Sequence, residues 1–177
     1  YKTNLTSSDQ AIFPDGFQSF GTSFANKTGF ALGMINLIAG YEGTKTGFVA
    51  DLAFGPRALE AVGGDDAIFV NQLYAYWNVS ENTTLTIGRF NTYLGYEVIS
   101  PVANFNYSTS YLFSYGPFSH TGLRADFTLS EDFSMMLAVM NQTDITELNL
   151  TGKYAYGAQL GYSGQYLNLL IDNGSYE

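Results

Sequence analysis

The sequence has no cysteine, so neither a disulfide framework nor a thiolate metal site is open to it. Charge is scarce: Asp, Glu, Lys and Arg together make up 13% of the 177 residues, about half the share in a soluble domain. Only seven residues are Lys or Arg against sixteen Asp or Glu, a formal net charge of −9. That balance argues against nucleic acid as a partner, because phosphate binding needs basic patches. Proline is rare, at four residues. No apolar run approaches the ~20 residues of a transmembrane helix. The longest candidate, beginning at Phe30, is broken by Gly33, Asn36 and Gly40. The first residues, YKTNLTSSDQ, lack the charged and apolar regions of a signal peptide.

What is abundant is aromatic: 14 Tyr, 14 Phe and one Trp, with 19 Gly. Polarity comes from Asn, Thr, Ser, Gln and Tyr. Such a composition suits a protein with much surface facing neither water nor an ordinary core.

The periodicity is two almost throughout, which marks half-buried strands. In Thr121–Leu129, Leu123, Ala125, Phe127 and Leu129 alternate with Gly122, Arg124, Asp126 and Thr128. Gly47–Gly55, Gln72–Val79, Lys153–Tyr162 and Gln165–Asp172 alternate similarly. Phe30–Tyr41 and Phe133–Met140 are apolar on both faces, and Phe17–Phe24 is a further candidate strand. Thr84–Phe90 poses a conflict, because Leu85 and Ile87 share the parity of Arg89. Either all three face one way or a bulge resets the register.

The connections alternate short and long. Glu42–Lys45, Ser80–Thr83, Ser130–Asp132 and Ser163-Gly164 are short; 55–66, 91–120 and 141–152 are long. Outer-membrane barrels are built with tight periplasmic turns and longer extracellular loops. The expected fold is therefore all-β: a transmembrane antiparallel up-and-down β-barrel, with residues 1–177 as a single domain. Nine strands, with the last ending outside, do not close an even-stranded barrel. The chain is thus read as the N-terminal half of a larger barrel, against an eight-stranded barrel with an N-terminal extension.

The run from Leu85 to Phe127 carries a further signal. It contains Gly88-Arg89-Phe90, Gly95-Tyr96-Glu97, Asn106–Phe113 (NYSTSYLF) and Pro117–Arg124 (PFSHTGLR). These segments, with Gly47–Ala58 (GFVADLAFGPRA), resemble the β-barrel porin-2 (OmpL-like) family of Bacteroidetes-type bacteria. The resemblance implies a porin of the bacterial outer membrane. Family members are about twice this long, so their N-terminal half is what this chain resembles.

Charges in alternating segments should face the lumen, since Lys or Arg against mid-bilayer lipid costs about 2–4 kcal/mol. Asp51, Arg89, Arg124, Asp126, Lys153 and Gln159 are the expected pore-lining residues. Arg124 and Asp126, two apart on one face, would also brace the wall as a pair. Glu97, Tyr107, Tyr111, Tyr115 and His120 are candidates for a constriction if the 91–120 loop folds inward. The opposing reading of that loop is a packed extracellular cap. Trp77 and Tyr162, beside short turns, are expected in the aromatic girdle at the membrane interface.

His120 is the sole histidine and follows Ser119, but no nucleophile-elbow or triad order surrounds it. No catalytic residue, metal site or cofactor is expected, and Asp65-Asp66 lacks the ligand count for Ca²⁺. The expected partners are the lipid bilayer, lipopolysaccharide and small hydrophilic solutes; a homo-oligomer or other outer-membrane proteins are further candidates. The expected function is passive diffusion of small solutes through a water-filled channel, with cations favoured. The alternatives are a structural or partner-binding barrel with a plugged lumen, and a secreted soluble β-protein.

Overall fold

The computed structural model describes residues 32–62, 70–106, 108–147, 149 and 152–173. The candidate strand Phe17–Phe24, the start of the strand expected from Phe30, Tyr107 and Asp65-Asp66 lie outside the described residues. Eight strands form one sheet in strict sequence order. They are β1 Ile35–Glu42, β2 Thr46–Phe54, β3 Val70–Ser80, β4 Thr83–Asn91, β5 Ser119–Thr128, β6 Phe133–Met140, β7 Ala155–Tyr162 and β8 Gln165–Ile171. Every neighbouring pair is antiparallel. The meander and its short-long alternation are those expected from the sequence.

Two short helices interrupt the long connections: α1, Pro56–Val62, and α2, Tyr111–Ser114. A single 3-10 turn, Pro101–Ala103, precedes α2. No helix among the described residues is long and apolar enough to cross a membrane, which says nothing about spanning by strands.

The registers sort the side chains into two faces, because directly paired residues share a face. One face carries Leu37, Phe48, Leu52, Leu73, Trp77, Leu85, Ile87, Leu123, Phe127, Leu137, Val139, Leu160 and Leu169. Most of these large apolar side chains are about half exposed. The other face carries Asn36, Asp51, Gln72, Tyr74, Thr86, Phe90, Arg124, Met136, Met140, Ala155, Gln159 and Asn168. The fold is thus inverted relative to a soluble sandwich: its exposed face is the greasy one.

The sheet is strongly curled. Tyr93 lies two residues beyond β4, yet its hydroxyl donates to the Leu169 carbonyl on β8 at 2.7 Å. Four strand steps on a flat sheet would separate those elements by about 19 Å. Only curvature toward the polar face brings them within a tyrosine's reach. Inside the curl, Phe90, Met136, Ala138, Met140 and Ala155 form a buried cluster with Tyr74, Tyr93 and Leu170 against it. That resolves the two-sided apolar reading of Phe133–Met140: Met136 and Met140 point inward, Phe133 and Leu137 outward. The described sheet is not closed, as β1 pairs only with β2 and β8 only with β7.

Candidate functional site: the inner wall and its loops

The inner wall is built from alternate residues of all eight strands. Among the described residues, three carboxylates and one guanidinium stand on it: Glu42, Asp51 and Asp126 against Arg124. Arg124 Nε donates to Asp126 Oδ2 at 2.8 Å. Its guanidinium also lies 5.2 Å from the centre of the Phe90 ring, a favourable cation–π placement. The pair is therefore locked as a brace, as i and i+2 on one strand face allow.

Asp51 is buried and serves as a three-strand tie. Its Oδ1 accepts from Asn36 Nδ2 on β1 at 2.7 Å, and its Oδ2 from Asn71 Nδ2 on β3 at 2.6 Å. The β2–β3 register slips between Asp51 and Leu52, so Asn71 is the extra residue of a bulge. The slip frees the Asn71 side chain to turn toward the carboxylate.

Gln159 donates to Asn168 Oδ1 at 2.7 Å and to the Tyr93 carbonyl at 3.2 Å. A Cβ at Gly157 would collide with the Tyr93 ring, so glycine there lets the ring lie close on the wall. Tyr93 thereby carries the start of the β4–β5 loop onto the inner face. Burial pushes the Tyr93 phenol up to about 12. Sequence reasoning missed Tyr93, which lies in the loop two residues past β4, where no strand periodicity marks it.

His120 is also inward and fully buried, with Nε2 3.0 Å from Thr92 Oγ1 and its ring 5.2 Å from Tyr93. It packs beneath the loop rather than standing open to an aqueous path. Lys153 precedes β7 and is exposed in the loop rather than on the wall.

Arg89 departs from expectation. The β4 ladder runs unbroken from Thr84 to Arg89 with both neighbours, so no bulge resets it. Arg89 pairs with Leu73 and Thr121 and holds the outward parity, together with Leu85 and Ile87. It is nevertheless buried, because the loops fold over it: it donates to Thr146 Oγ1 and, at 3.4 Å, to the Val62 carbonyl. Arg89 thus joins the β2–β3 and β6–β7 loops instead of lining the lumen. The cost of exposing it to lipid is avoided by those contacts.

Glu97 departs too. It is buried, and its carboxylate accepts from Ser110 N at 2.9 Å and from the Ser110 hydroxyl. Ser110 in turn caps α2 through Phe113 N, satisfying a helix-end donor. Glu97 orders the loop internally, while Tyr111 and Tyr115 are exposed on it. Beneath them Ala61, Ile99 and Phe113 form a second buried cluster with Met34 and Phe118. Arg57 Nε donates to the Ile99 carbonyl at 3.0 Å and fastens α1 to this loop.

The β6–β7 loop is held equally firmly. Asp144 Oδ1 accepts from Phe118 N and Ser119 N, each at 2.9 Å. Asp172 Oδ2 accepts from Thr143 N at 2.9 Å and Thr143 Oγ1 at 2.7 Å. Burial raises the Asp144 carboxyl above its usual range, against the pull of those two amides and Arg89.

On the outward strand positions, Arg89 is the single charged residue among those described. Aromatics gather near the short turns: Tyr41 stacks on Phe48 at 6.5 Å, Phe133 meets Tyr162 at 4.6 Å, and Trp77 stands opposite Thr46 and Leu85. A shallow groove lined by Leu123, Ala125, Leu137, Tyr156, Ala158 and Leu169 also lies on this apolar side.

A curled antiparallel meander with a greasy outside, a charge-bearing inside and unequal connections is the construction of an outer-membrane porin. Residues 1–174 match the family model described as "Putative beta-barrel porin-2, OmpL-like", and the chain belongs to that family. The family is one of β-barrel porins, which implies an outer-membrane setting in contact with lipid and solute. No curated protein and no solved structure matches the chain.

Proposed function

We propose that the chain forms the wall of a water-filled, cation-favouring channel for passive diffusion of small hydrophilic solutes across the bacterial outer membrane. The observation that carries this reading is the partition of charge. Glu42, Asp51, Arg124 and Asp126 all stand on the inner wall, while among the described residues the outward strand positions hold only the loop-covered Arg89. Three negative charges against one positive on the described wall favour a field that concentrates cations. Asp51, Arg124, Asp126 and Gln159 are the pore-lining residues on this reading. Trp77 and Tyr162, outward and about half exposed beside short turns, serve as interface anchors. Unpaired strand edges are not tolerated in lipid, so strands beyond the eight described close the barrel.

Tyr93 supports a constriction formed by the β4–β5 loop, since it ties that loop to the inner face of β7 and β8. A fully plugged lumen is the competing outcome. Purified protein in planar bilayers, under a KCl gradient, decides between them. The channel reading expects discrete ohmic steps and a reversal potential set mainly by K⁺. Glu42→Gln and Asp126→Asn should move that potential toward anions, the latter by releasing Arg124 from its partner. Absence of conductance, or an anion preference in the unaltered protein, would sink it.

A further inference from the structure

The inner wall changes character along its strands. Toward the short turns it is polar and open. On β5, Arg124 and Asp126 are part-exposed and Thr128 beyond them is exposed. Ser134, which pairs with Thr128, is half-buried on β6, and inward Tyr166 is exposed on β8. Toward the long loops the same wall is closed. His120 ends the inward row of β5 fully buried. On β6, Met136, Ala138 and Met140 follow Ser134 inward, and all three are buried, Met140 completely. Phe90 on β4 and Ala155 on β7 complete this dry cluster. The change falls at the Phe90 ring, which carries the Arg124 guanidinium 5.2 Å from its centre and also packs in the methionine cluster.

Inward side chains of an aqueous path touch water unless something covers them. Tyr93 is a cover. A Cβ on Gly157 would stand 3.0 Å from both the Tyr93 Cζ and the Met140 Cε, so the ring lies against that methionine. The Tyr93 hydroxyl donates to the Leu169 carbonyl at 2.7 Å, and its own carbonyl accepts from Gln159 at 3.2 Å. Its ring rests 5.2 Å from His120. Thr92 Oγ1, bonded to both His120 Nε2 and Leu94 N, fixes the residues on either side. The strap thus runs from the end of β4 to β8 across the dry end of the wall. Apolar constrictions stop ions by excluding water, without a bulky plug. Methionine suits a seal that moves, because its unbranched chain changes rotamer without a backbone shift.

We propose that Phe90, Met136 and Met140, held shut under Tyr93, form a hydrophobic gate at the long-loop end of the lumen. The space inside the eight strands is then a vestibule. Water and cations enter it from the short-turn end as far as Arg124, and it is dry beyond Phe90. A solute passes when Tyr93 lifts from β8 and the methionine side chains swing aside. The gate rests on the channel reading and adds to it the place and chemistry of closure.

The test takes two readouts. In nanodiscs, where both ends are within reach, a charged thiosulfonate should modify Ser134→Cys readily. Ala138→Cys, inward on the same strand, should react far more slowly. Adding Tyr93→Phe should speed labelling of Ala138→Cys about fivefold, the factor one hydrogen bond confers on an opening equilibrium, and leave Ser134→Cys as it was. In planar bilayers, Met140→Gln should raise open probability, and by more than Met140→Leu. Both substitutions disturb the packing, but only the amide draws water into the seal. Heat-modifiable gel mobility verifies that each variant folds. Equal labelling of Ser134→Cys and Ala138→Cys would reveal a wet wall and overturn the gate. So would equal effects of Gln and Leu at Met140, or a Tyr93→Phe effect of the same size at both cysteines, which would mean general loosening. Labelling needs no current: protection of Ala138→Cys with no conductance from any variant would refute the channel reading and uphold the seal.

Discussion

Placing one arginine on either face of the sheet should give opposite results. Leu137 sits mid-strand in β6 on the outward face, paired with Ala125 and Ala158 and about half exposed. Leu137→Arg puts a guanidinium toward the bilayer midplane, at a cost of about 2–4 kcal/mol. That cost lowers the folded-to-unfolded ratio by roughly 30- to 900-fold. Asn168 lies on the inner face of β8, opposite Gln159. Asn168→Arg forfeits the hydrogen bond from Gln159, about 1 kcal/mol, and otherwise faces the aqueous side. Both variants can be unfolded by urea from lipid vesicles and followed through Trp77, the only tryptophan. Trp77 is outward and half exposed, so its emission reports transfer from interface to water. The expected order is a large loss for Leu137→Arg and a small one for Asn168→Arg. Equal losses, or the reverse order, would refute the assignment of faces.

Three further outcomes follow from the same geometry. Asp51→Ala removes two charge-assisted hydrogen bonds that join β1, β2 and β3, and should cost about 3 kcal/mol or more by the same urea assay; Asp51→Asn should recover part of it. Gly47→Val should destabilise at least as much, because a Cβ there meets the Tyr41 carbonyl and the Tyr76 ring; Val49→Ala, on the same face, serves as the mild control. The Tyr93 phenol is raised to about 12 by burial, so its contribution is complete below the ordinary tyrosine value of about 10 and lost as pH rises from there through about 12. Conductance should therefore rise over that alkaline interval in the unaltered protein. In Tyr93→Phe, which lacks the titrating hydroxyl, the rise over that interval should disappear.

The strands were legible because a two-residue alternation of apolar and polar side chains records directly which face each residue takes. Thr121–Leu129 and Gln165–Asp172 were assigned to within two residues at each end for this reason. β1 starts later than Phe30 because Leu32, Gly33 and Met34 are drawn away from the ladder, with Gly33 accepting from Arg57 N. The site was legible only where it lies on strands. Arg124 and Asp126 follow from parity alone. Arg89 does not, because loops distant in sequence bury an outward position that lipid would otherwise reject. Glu97 and Tyr93 depend on loop closures, Glu97 to Ser110 and Tyr93 to Gln159 and Leu169, that no periodicity encodes.

The absence of cysteine makes the central claim directly measurable, because a single introduced thiol has no background. Ala158 and Gln159 are adjacent on β7 and face opposite sides of the sheet. In protein reconstituted into vesicles, a charged, lipid-impermeant thiosulfonate should modify Gln159→Cys and leave Ala158→Cys unreacted until detergent is added. Modification of Ala158→Cys in intact bilayers, with Gln159→Cys protected, would contradict a water-filled inside and a lipid-facing outside.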